Sequence, residues 1–418
     1  MSYNSQSRFG RSPSRSFGGS RPGGHPSGGR SFGGGGGQRS GGRSGGRGPQ
    51  KQYIHPSKFI AEARPVEEMR YTAVNTFADF DVNDLIKKNL AGKGYTTPSP
   101  IQDQSIPLGL AGRDIIGIAN TGTGKTAAFA IPVLNKLMKD KMSAVLIVAP
   151  TRELAEQIED ELRSIAKTSG LTGALLIGGS SMTRQLADLR SKPRVVVGTP
   201  GRIKDHIERG TLNLAAFNNV VLDEVDRMLD MGFMPDMRFI LQHLNKERQS
   251  FFFSATFDGK VRDIISEFSN DPVTVSVKTG DTADNVHQNI VQYNGRDDKI
   301  SKLHDTLMTA EAAKVIVFDD TKHGVERLGK ELVLRGFKAE SIHGGKTQGQ
   351  RQRALKAFKD NKITILVATD VAARGIDVPD ITHVINYSTP QTYEDYVHRI
   401  GRAGRAGRVG HALTFIGE

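Results

Sequence analysis

The sequence predicts an α/β protein built on two parallel sheets flanked by helices and preceded by a disordered tail. Three observations carry that prediction. Short, strongly apolar runs recur with helical stretches between them. The runs fall into two series with a polar stretch between. The first 50 residues contain no apolar run at all.

The first series reads "DIIGIA" from residue 114, "AVLIVAP" from 144, "RVVVGTP" from 194, "NVVLDE" from 219 and "SFFFSAT" from 250. The second reads "KVIVFDD" from 314, "ITILVATD" from 363, "HVINYS" from 383 and "ALTFIG" from 412. Runs this apolar, separated by helices, are strands of parallel sheets covered on both faces. Ligands on such sheets bind beyond the carboxyl ends of the strands, and the chemistry-bearing motifs begin where runs end. The stretch "SNDPVTVSVKTGDTADNVHQNIVQY" lacks helical periodicity and carries Pro272 and Gly280. It places a linker at 276–286, between a first domain at 53–275 and a second at 287–418. The last run lies just before the end of the chain. With no covering element after it, that run is expected to be an edge strand.

The tail spans residues 1–52. Residues 1–50 hold eight arginines and no lysine, aspartate or glutamate, so they carry +8 of the chain's net +12 and leave +4 for residues 51–418. Glycine and serine dominate, and such a segment buries too little apolar surface to offset its ordering entropy. Arginine attracts phosphate and stacks on bases, and Phe9, Phe17 and Phe32 add stacking surface, so the tail reads as a sequence-tolerant RNA-holding arm. The chain has no cysteine, which excludes disulfides and thiolate metal sites. It has no apolar run near the ~18 residues of a membrane span and no apolar leader, so no membrane partner is expected and the default location is cytoplasmic.

"ANTGTGKT", Ala119 to Thr126, follows the first run and precedes a helical stretch. In Thr121, Gly122, Thr123 and Gly124 the glycines let backbone N–H groups face phosphate oxygens, and the following helix turns its N-terminus to the same anion. Lys125 is placed to reach the β- and γ-phosphates, and Thr126 to ligate Mg²⁺. "VVLDEVD" supplies Asp223 to hold Mg²⁺ through water and Glu224 to orient or deprotonate the attacking water. These parts imply hydrolysis of a nucleoside triphosphate. They do not separate kinases, transporters, motors and GTPases.

The remaining motifs narrow the choice. "GYTTPSPIQ" spans Gly94 to Gln102; "PTRELA" begins at Pro150, "TPGR" at Thr199, "DEVDRMLDMGF" at Asp223, "SAT" at Ser254, "ATDVAARGID" at Ala368 and "HRIGRAGRAG" at His398. This ordered set, over about residues 75–418, closely resembles the DEAD-box RNA helicases of superfamily 2. The resemblance implies an ATP-dependent RNA helicase of two RecA-like domains, with ATP in the cleft between them and RNA across both. It implies that Gln102 reads the adenine edge, Tyr95 stacks on the ring and Phe77 supports that loop. It gives Asp377 to the ribose or phosphates. It makes Arg402 and Arg405 arginine fingers, which on a helix would share one face. His398 and Asp226 would link the domains, and Ser254 and Thr256 would relay the state of the acidic motif. This motif reads Asp-Glu-Val-Asp, with Val225 adding two methyls where the family name has alanine.

RNA contacts are expected at Pro150, Thr151 and Arg152, at Gly178 and Gly179, and at Thr199, Pro200, Gly201 and Arg202 in the first domain. In the second they fall at His343, Gly344, Gln348, Arg351, Thr369 and Asp370. Hydroxyls, backbone N–H groups and guanidinium suit phosphate and sugar rather than base edges. RNA is therefore the expected partner with little sequence preference, ribonucleoprotein or ribosomal partners stay open, and a monomer is expected. ATP and Mg²⁺ are the expected cofactors. Competing readings are another superfamily 2 motor acting on DNA, a non-enzymatic RNA clamp that uses the tail, and an ATPase unrelated to nucleic acid.

Overall fold

The structure is a computed structural model that describes residues 53–64, 71–120, 122–277, 284–309, 311–373, 376, 378, 380–404 and 408–417. The expected tail, and with it Thr121, Asp377 and Arg405, lies outside the described residues.

In chain order the first lobe holds α1 (Asp84–Gly92), α2 (Pro100–Leu110), β1 (Ile115–Ile118), α3 (Lys125–Lys139), β2 (Val145–Val148), α4 (Arg152–Ile165), β3 (Gly173–Leu176), α5 (Met182–Arg190), β4 (Val195–Gly198), α6 (Pro200–Glu208), β5 (Asn219–Leu222), α7 (Val225–Asp230), α8 (Met234–Gln242), β6 (Gln249–Ser254), α9 (Gly259–Phe268) and β7 (Val273–Ser276). The second holds β8 (Val286–Tyr293), α10 (Gly295–Leu307), β9 (Val315–Phe318), α11 (Lys322–Leu334), β10 (Ala339–Ile342), α12 (Gln348–Lys359), β11 (Ile365–Ala368), α13 (Asp370–Ala373), β12 (His383–Asn386), α14 (Tyr393–Ile400) and β13 (Gly410–Gly417).

The first sheet runs β3-β4-β2-β5-β6-β1-β7 and the second β10-β11-β9-β12-β13-β8. Every strand pair in both is parallel. Both faces of the first sheet are covered. Phe251 and Phe253 point to the face packed by Phe129, Ile131 and Ile158, while Phe252 points to the other, with Val225, Met228 and Ile264. That alternation explains why "SFFFS" is apolar throughout; each buried phenylalanine contributes about 1.5–3 kcal/mol.

One expectation is overturned. The last strand, β13, is not an edge: it pairs with β12 on one side and β8 on the other. The outer strand is β8, which the chain reaches first and β13 then covers. Residues 54–64, assigned by sequence to the first domain, lie against this second sheet. A short helical turn, Pro56–Phe59, packs there, and Ala61 makes an antiparallel bridge with Gln288.

Candidate nucleotide site and nucleic-acid face

The strand order sorts the motifs. β5, β6 and β1 are neighbours, so the acidic motif, the Ser-Ala-Thr turn and the phosphate loop leave the sheet side by side. β3, β4 and β2 are the other group, and their ends carry the Gly-Gly, Thr-Pro-Gly-Arg and Pro-Thr-Arg segments.

Along the phosphate loop, Gly122 and Gly124 have φ of 83° and 89°, a left-handed backbone that favours glycine. Gly124 caps α3. The Lys125 Nζ is buried and donates to the Ala119 carbonyl at 3.1 Å, folding back over the loop it closes. The loop is tied to α2 on its other side. Gln102 Nε2 donates to the Gly124 carbonyl at 3.0 Å, Gln102 Oε1 accepts from the Ser99 N–H at 2.9 Å, and Ser99 Oγ donates to the Thr123 carbonyl at 2.7 Å. A Cβ on Gly124 would run into Gln102. Next door, Phe77 meets Tyr95 edge-on with centroids 5.3 Å apart, and the Tyr95 hydroxyl donates to Glu161 at 2.9 Å.

Asp223, Glu224 and Asp226 are all buried. Burial raises the Asp223 carboxyl to about 6 against the pull of Lys125, with the neighbouring carboxylates adding to the rise. Burial also works against the Glu224 charge, but Arg227, Lys125 and Arg402 outweigh it and hold this carboxylate below its ordinary range. Arg227 Nη1 donates to both Glu224 oxygens at 2.9 and 2.8 Å. Glu224 itself sits at φ 54°, ψ 54°, a left-handed conformation costing about 1–3 kcal/mol for a residue with a side chain. Asp223 is a buried carboxyl among further carboxylates, and carboxylate oxygens suit a hard divalent cation, although no group of three or more such side chains gathers as a ready metal site among the described residues.

Asp226 is the hub expected between motifs. Its Oδ2 accepts from the Ala255 and Thr256 N–H groups, each at 3.0 Å, and from Thr256 Oγ1 at 3.3 Å; its own N–H donates to Ser254 Oγ at 3.3 Å. His398 lies on α14, whose Glu394 is raised by burial and then by Asp230, Asp226, Asp395 and Asp258. Glu394 of the second lobe thus feels two carboxylates of α7, Asp226 and Asp230. Arg402, 4% exposed, donates from Nη1 to the Ile376 carbonyl at 3.0 Å and from Nε to the His398 carbonyl at 3.3 Å. It is not on a helix, as the three-residue spacing to Arg405 suggested: α14 stops at Ile400, with Gly401 as cap and Gly404 left-handed at φ 68°.

On the other face, Thr151 caps α4, with its hydroxyl accepting from the Leu154 N–H at 3.3 Å. Thr199 precedes Pro200 at the start of α6 without using its side chain as a cap, and Gly201 is exposed. The absence of Cβ atoms at Gly178 and Gly179 makes room for the Arg152 guanidinium, and Arg202 lies 3.8 Å from Asp205. In the second lobe Gly344 is exposed and Thr369 half-buried, at the ends of β10 and β11. Four residues expected at RNA are engaged elsewhere, Asp370 by Arg399 and three others as follows. Arg351 makes a buried ion pair with Glu153 of the first lobe at 2.8 Å. Gln348 donates to Glu156 at 3.0 Å, and His343 is paired with Glu326.

Sequence reading missed several supports. Arg399, 1% exposed as a side chain, clamps Asp370 through Nε at 2.5 Å and Nη2 at 2.7 Å, and donates to the Ser388 carbonyl at 2.7 Å. Asp103, beside Gln102, accepts from the Tyr71 hydroxyl, the Val74 N–H, and both the N–H and Nδ2 of Asn75 at 2.7–3.2 Å. A buried carboxylate one residue from a motif glutamine was the available signal.

Residues 99–264 match the DEAD/DEAH box helicase family and residues 298–407 the helicase conserved C-terminal domain family. The chain is 45% identical over 344 residues to "ATP-dependent RNA helicase CshA" of Listeria monocytogenes, covering 81% of this chain and 66% of that protein. It is 45% identical over 347 residues to "DEAD-box ATP-dependent RNA helicase CshA" of Geobacillus kaustophilus, covering 82% and 74%. Among solved structures, S. cerevisiae Dbp5 bound to RNA and ADP BeF3 is similar at 30% identity and a TM-score of 0.72, over 82% of this chain and 90% of that one. Mss116p bound to ssRNA and AMP-PNP is similar at 29% identity and 0.73, over 81% and 73%. The chain belongs to the DEAD-box ATP-dependent RNA helicases.

Proposed function

We propose that this chain couples RNA-stimulated ATP hydrolysis to local duplex separation or ribonucleoprotein remodelling. The observation that carries the reading is the convergence of the phosphate loop, the acidic motif and the Ser-Ala-Thr turn on three adjacent strand ends, with Arg402 of the second lobe felt by Glu224. Lys125 would exchange its Ala119 bond for the β- and γ-phosphates, and Gln102 its Gly124 bond for the adenine edge. Tyr95, backed by Phe77, would carry the ring. Thr126 and Asp223 would hold Mg²⁺, which when bound offsets phosphate charge. Glu224, kept ionised by Arg227, would orient the attacking water. Arg402 would act as arginine finger, an element worth about 10³–10⁵ in rate in other phosphoryl-transfer enzymes, so turnover depends on the lobes being together. Asp226 would pass the state of the acidic motif to Ser254 and Thr256.

RNA would lie along the ends of β3, β4 and β2, and of β10 and β11. Thr199, Gly201 and Gly344 there leave hydroxyl and backbone groups for phosphate and sugar. The Arg/Gly-rich tail would add a sequence-tolerant hold. The chain would work as a cytoplasmic monomer; among the described residues no helix is long and apolar enough to cross a membrane. Steady-state ATPase with single-stranded RNA, with matched DNA and without nucleic acid, for the wild type and Glu224→Gln, tests the reading. RNA-specific stimulation lost by at least about 10²-fold in the variant is expected. Equal stimulation by DNA, or none with RNA still bound, defeats it.

A further inference from the structure

Residues 54–64 precede the first lobe in the chain but are seated on the second. Phe59 is 1% exposed, in a core with Val286, Ile316, Tyr396 and Ile400. The Ala61 N–H donates to the Gln288 carbonyl at 3.0 Å, and the Gln288 N–H returns to the Ala61 carbonyl at 2.7 Å. The Arg64 N–H donates to the Asp284 carbonyl at 2.7 Å. The Ala63 N–H donates to His287 Nδ1 at 3.2 Å, and Glu62 lies 2.8 Å from the same nitrogen. An open strand edge is a liability, and this segment covers part of the outer strand β8.

Gln288 gives the segment a reach beyond edge cover. Its backbone pairs with Ala61, while its side-chain Oε1 accepts from the Tyr396 hydroxyl at 2.9 Å. The Tyr396 ring in turn meets Phe59 edge-on at 4.7 Å. Ala61, Gln288, Tyr396 and Phe59 therefore close a ring of contacts. Tyr396 is fully buried on α14, the helix that carries His398 and Arg399 and leads into Arg402. Whatever fixes Tyr396 fixes where that helix ends.

We infer that residues 54–64 are a strap that positions α14, and through it Arg402, for hydrolysis. Phe59 and Ala61 are positioning residues; the inference rests on the ATP-hydrolysis reading above. A Phe59→Ala cavity beside Tyr396 lets the ring relax toward it and carries α14 along. A displacement of about 1 Å at a reacting group costs on the order of 10²-fold in rate. The phosphate loop, Gln102 and Tyr95 all lie on the first lobe, so the affinity for ATP is expected to change little.

The test uses the full chain as wild type, Phe59→Ala, Phe59→Leu and Ala61→Pro, at a temperature where circular dichroism shows each folded. Ala61→Pro removes one backbone donor and leaves Phe59 in place. Two quantities are read: kcat and KM for ATP at saturating RNA, and backbone hydrogen exchange over residues 393–404. Phe59→Ala and Ala61→Pro are expected to lower kcat by about 10–100-fold with KM within about twofold. Exchange should quicken in α14 and β8 but not across the rest of the lobe, and Phe59→Leu should recover most of the rate. Unchanged kcat in folded variants, or a uniform loss of protection across the second lobe, overturns the strap. A wild type without RNA-stimulated turnover defeats the functional reading instead. Exchange then decides the strap alone, and unaltered protection of α14 would sink it.

Discussion

The ion pair between Arg351 and Glu153 joins the lobes, and its loss has a calculable effect. The Glu153 side chain is 1% exposed and that of Arg351 7%. Charge holds them at 2.8 Å, but neither carboxylate oxygen accepts a hydrogen bond, nor does Arg351 Nε donate one. The pair joins α4 of the first lobe to α12 of the second, so in the proposed cycle, where the lobes part and both groups meet water, it acts on closure rather than on folding. Removing one partner of a buried pair costs about 3–5 kcal/mol, because the other is left as an uncompensated charge. Arg351→Met should therefore lower the closure equilibrium by roughly 10²–10³·⁵. Replacing both with methionine removes the desolvation penalty as well. Such replacements are neutral to favourable by about 1–4 kcal/mol, so Glu153→Met/Arg351→Met should close at least as well as the wild type. The chain has no cysteine. Met142→Cys and Leu334→Cys, each 83% exposed and one on each lobe, thus give a clean dye pair for single-molecule energy transfer. A closure equilibrium for Arg351→Met within about threefold of the wild type, or one for the double variant that falls as far as the single, would refute the reasoning, since a pair made in solution must show coupling.

Three further outcomes follow from the site. Lys125→Ala removes the cation that opposes the rise at Asp223 and should cut RNA-stimulated ATPase by more than about 10²-fold; turnover assays check this. Val225→Ala, which restores the family's alanine, strips two methyls from a fully buried side chain and should cost about 1.5–3 kcal/mol of stability, read by denaturant melts. Burial raises the Glu156 carboxyl to about 7, with Gln348 and Gln352 hydrogen bonds partly opposing it. Relative to a solvated carboxyl, which titrates near 4.5, the closed form then holds a proton that exposure of Glu156 on opening would release. Closure should weaken as pH rises from about 4.5 to 7 and level off above, and Glu156→Gln should flatten that profile in the same energy-transfer assay.

Legibility in the sequence followed the position of each strand. The apolar runs from 114 to 254 and from 314 to 417 are the interior strands of the two sheets, including β13, expected at an edge. The strands that escaped notice are the outer ones: "GALL" and "VTVS" in the first sheet, "AESI" and "VHQNIVQY" in the second. An outer strand has one flank toward solvent, so Glu340 and Gln292 are tolerated where an interior strand needs valine. The site divides in the same way. The phosphate loop and the acidic motif are local and were readable. The clamp of Arg399 on Asp370, the four donors on Asp103 and the strap on β8 join residues 28 to over 200 positions apart. No window of sequence holds both partners.

The resting bonds of Gln102 bear on nucleotide selection. Both ends of its amide are already satisfied, by the Ser99 N–H and the Gly124 carbonyl. If Gln102 takes the adenine edge as proposed, recognition is an exchange of partners, not the filling of an empty one. A site that strands an unpaired polar group rejects the wrong ligand by about 10⁴–10⁵. Here the wrong base leaves the amide in its old bonds and forfeits only the gain. Discrimination against guanine should accordingly be modest, and a base that fails to draw Gln102 away would leave the phosphate loop still fastened to α2. Selection would show less in whether a triphosphate binds than in whether its binding releases the loop.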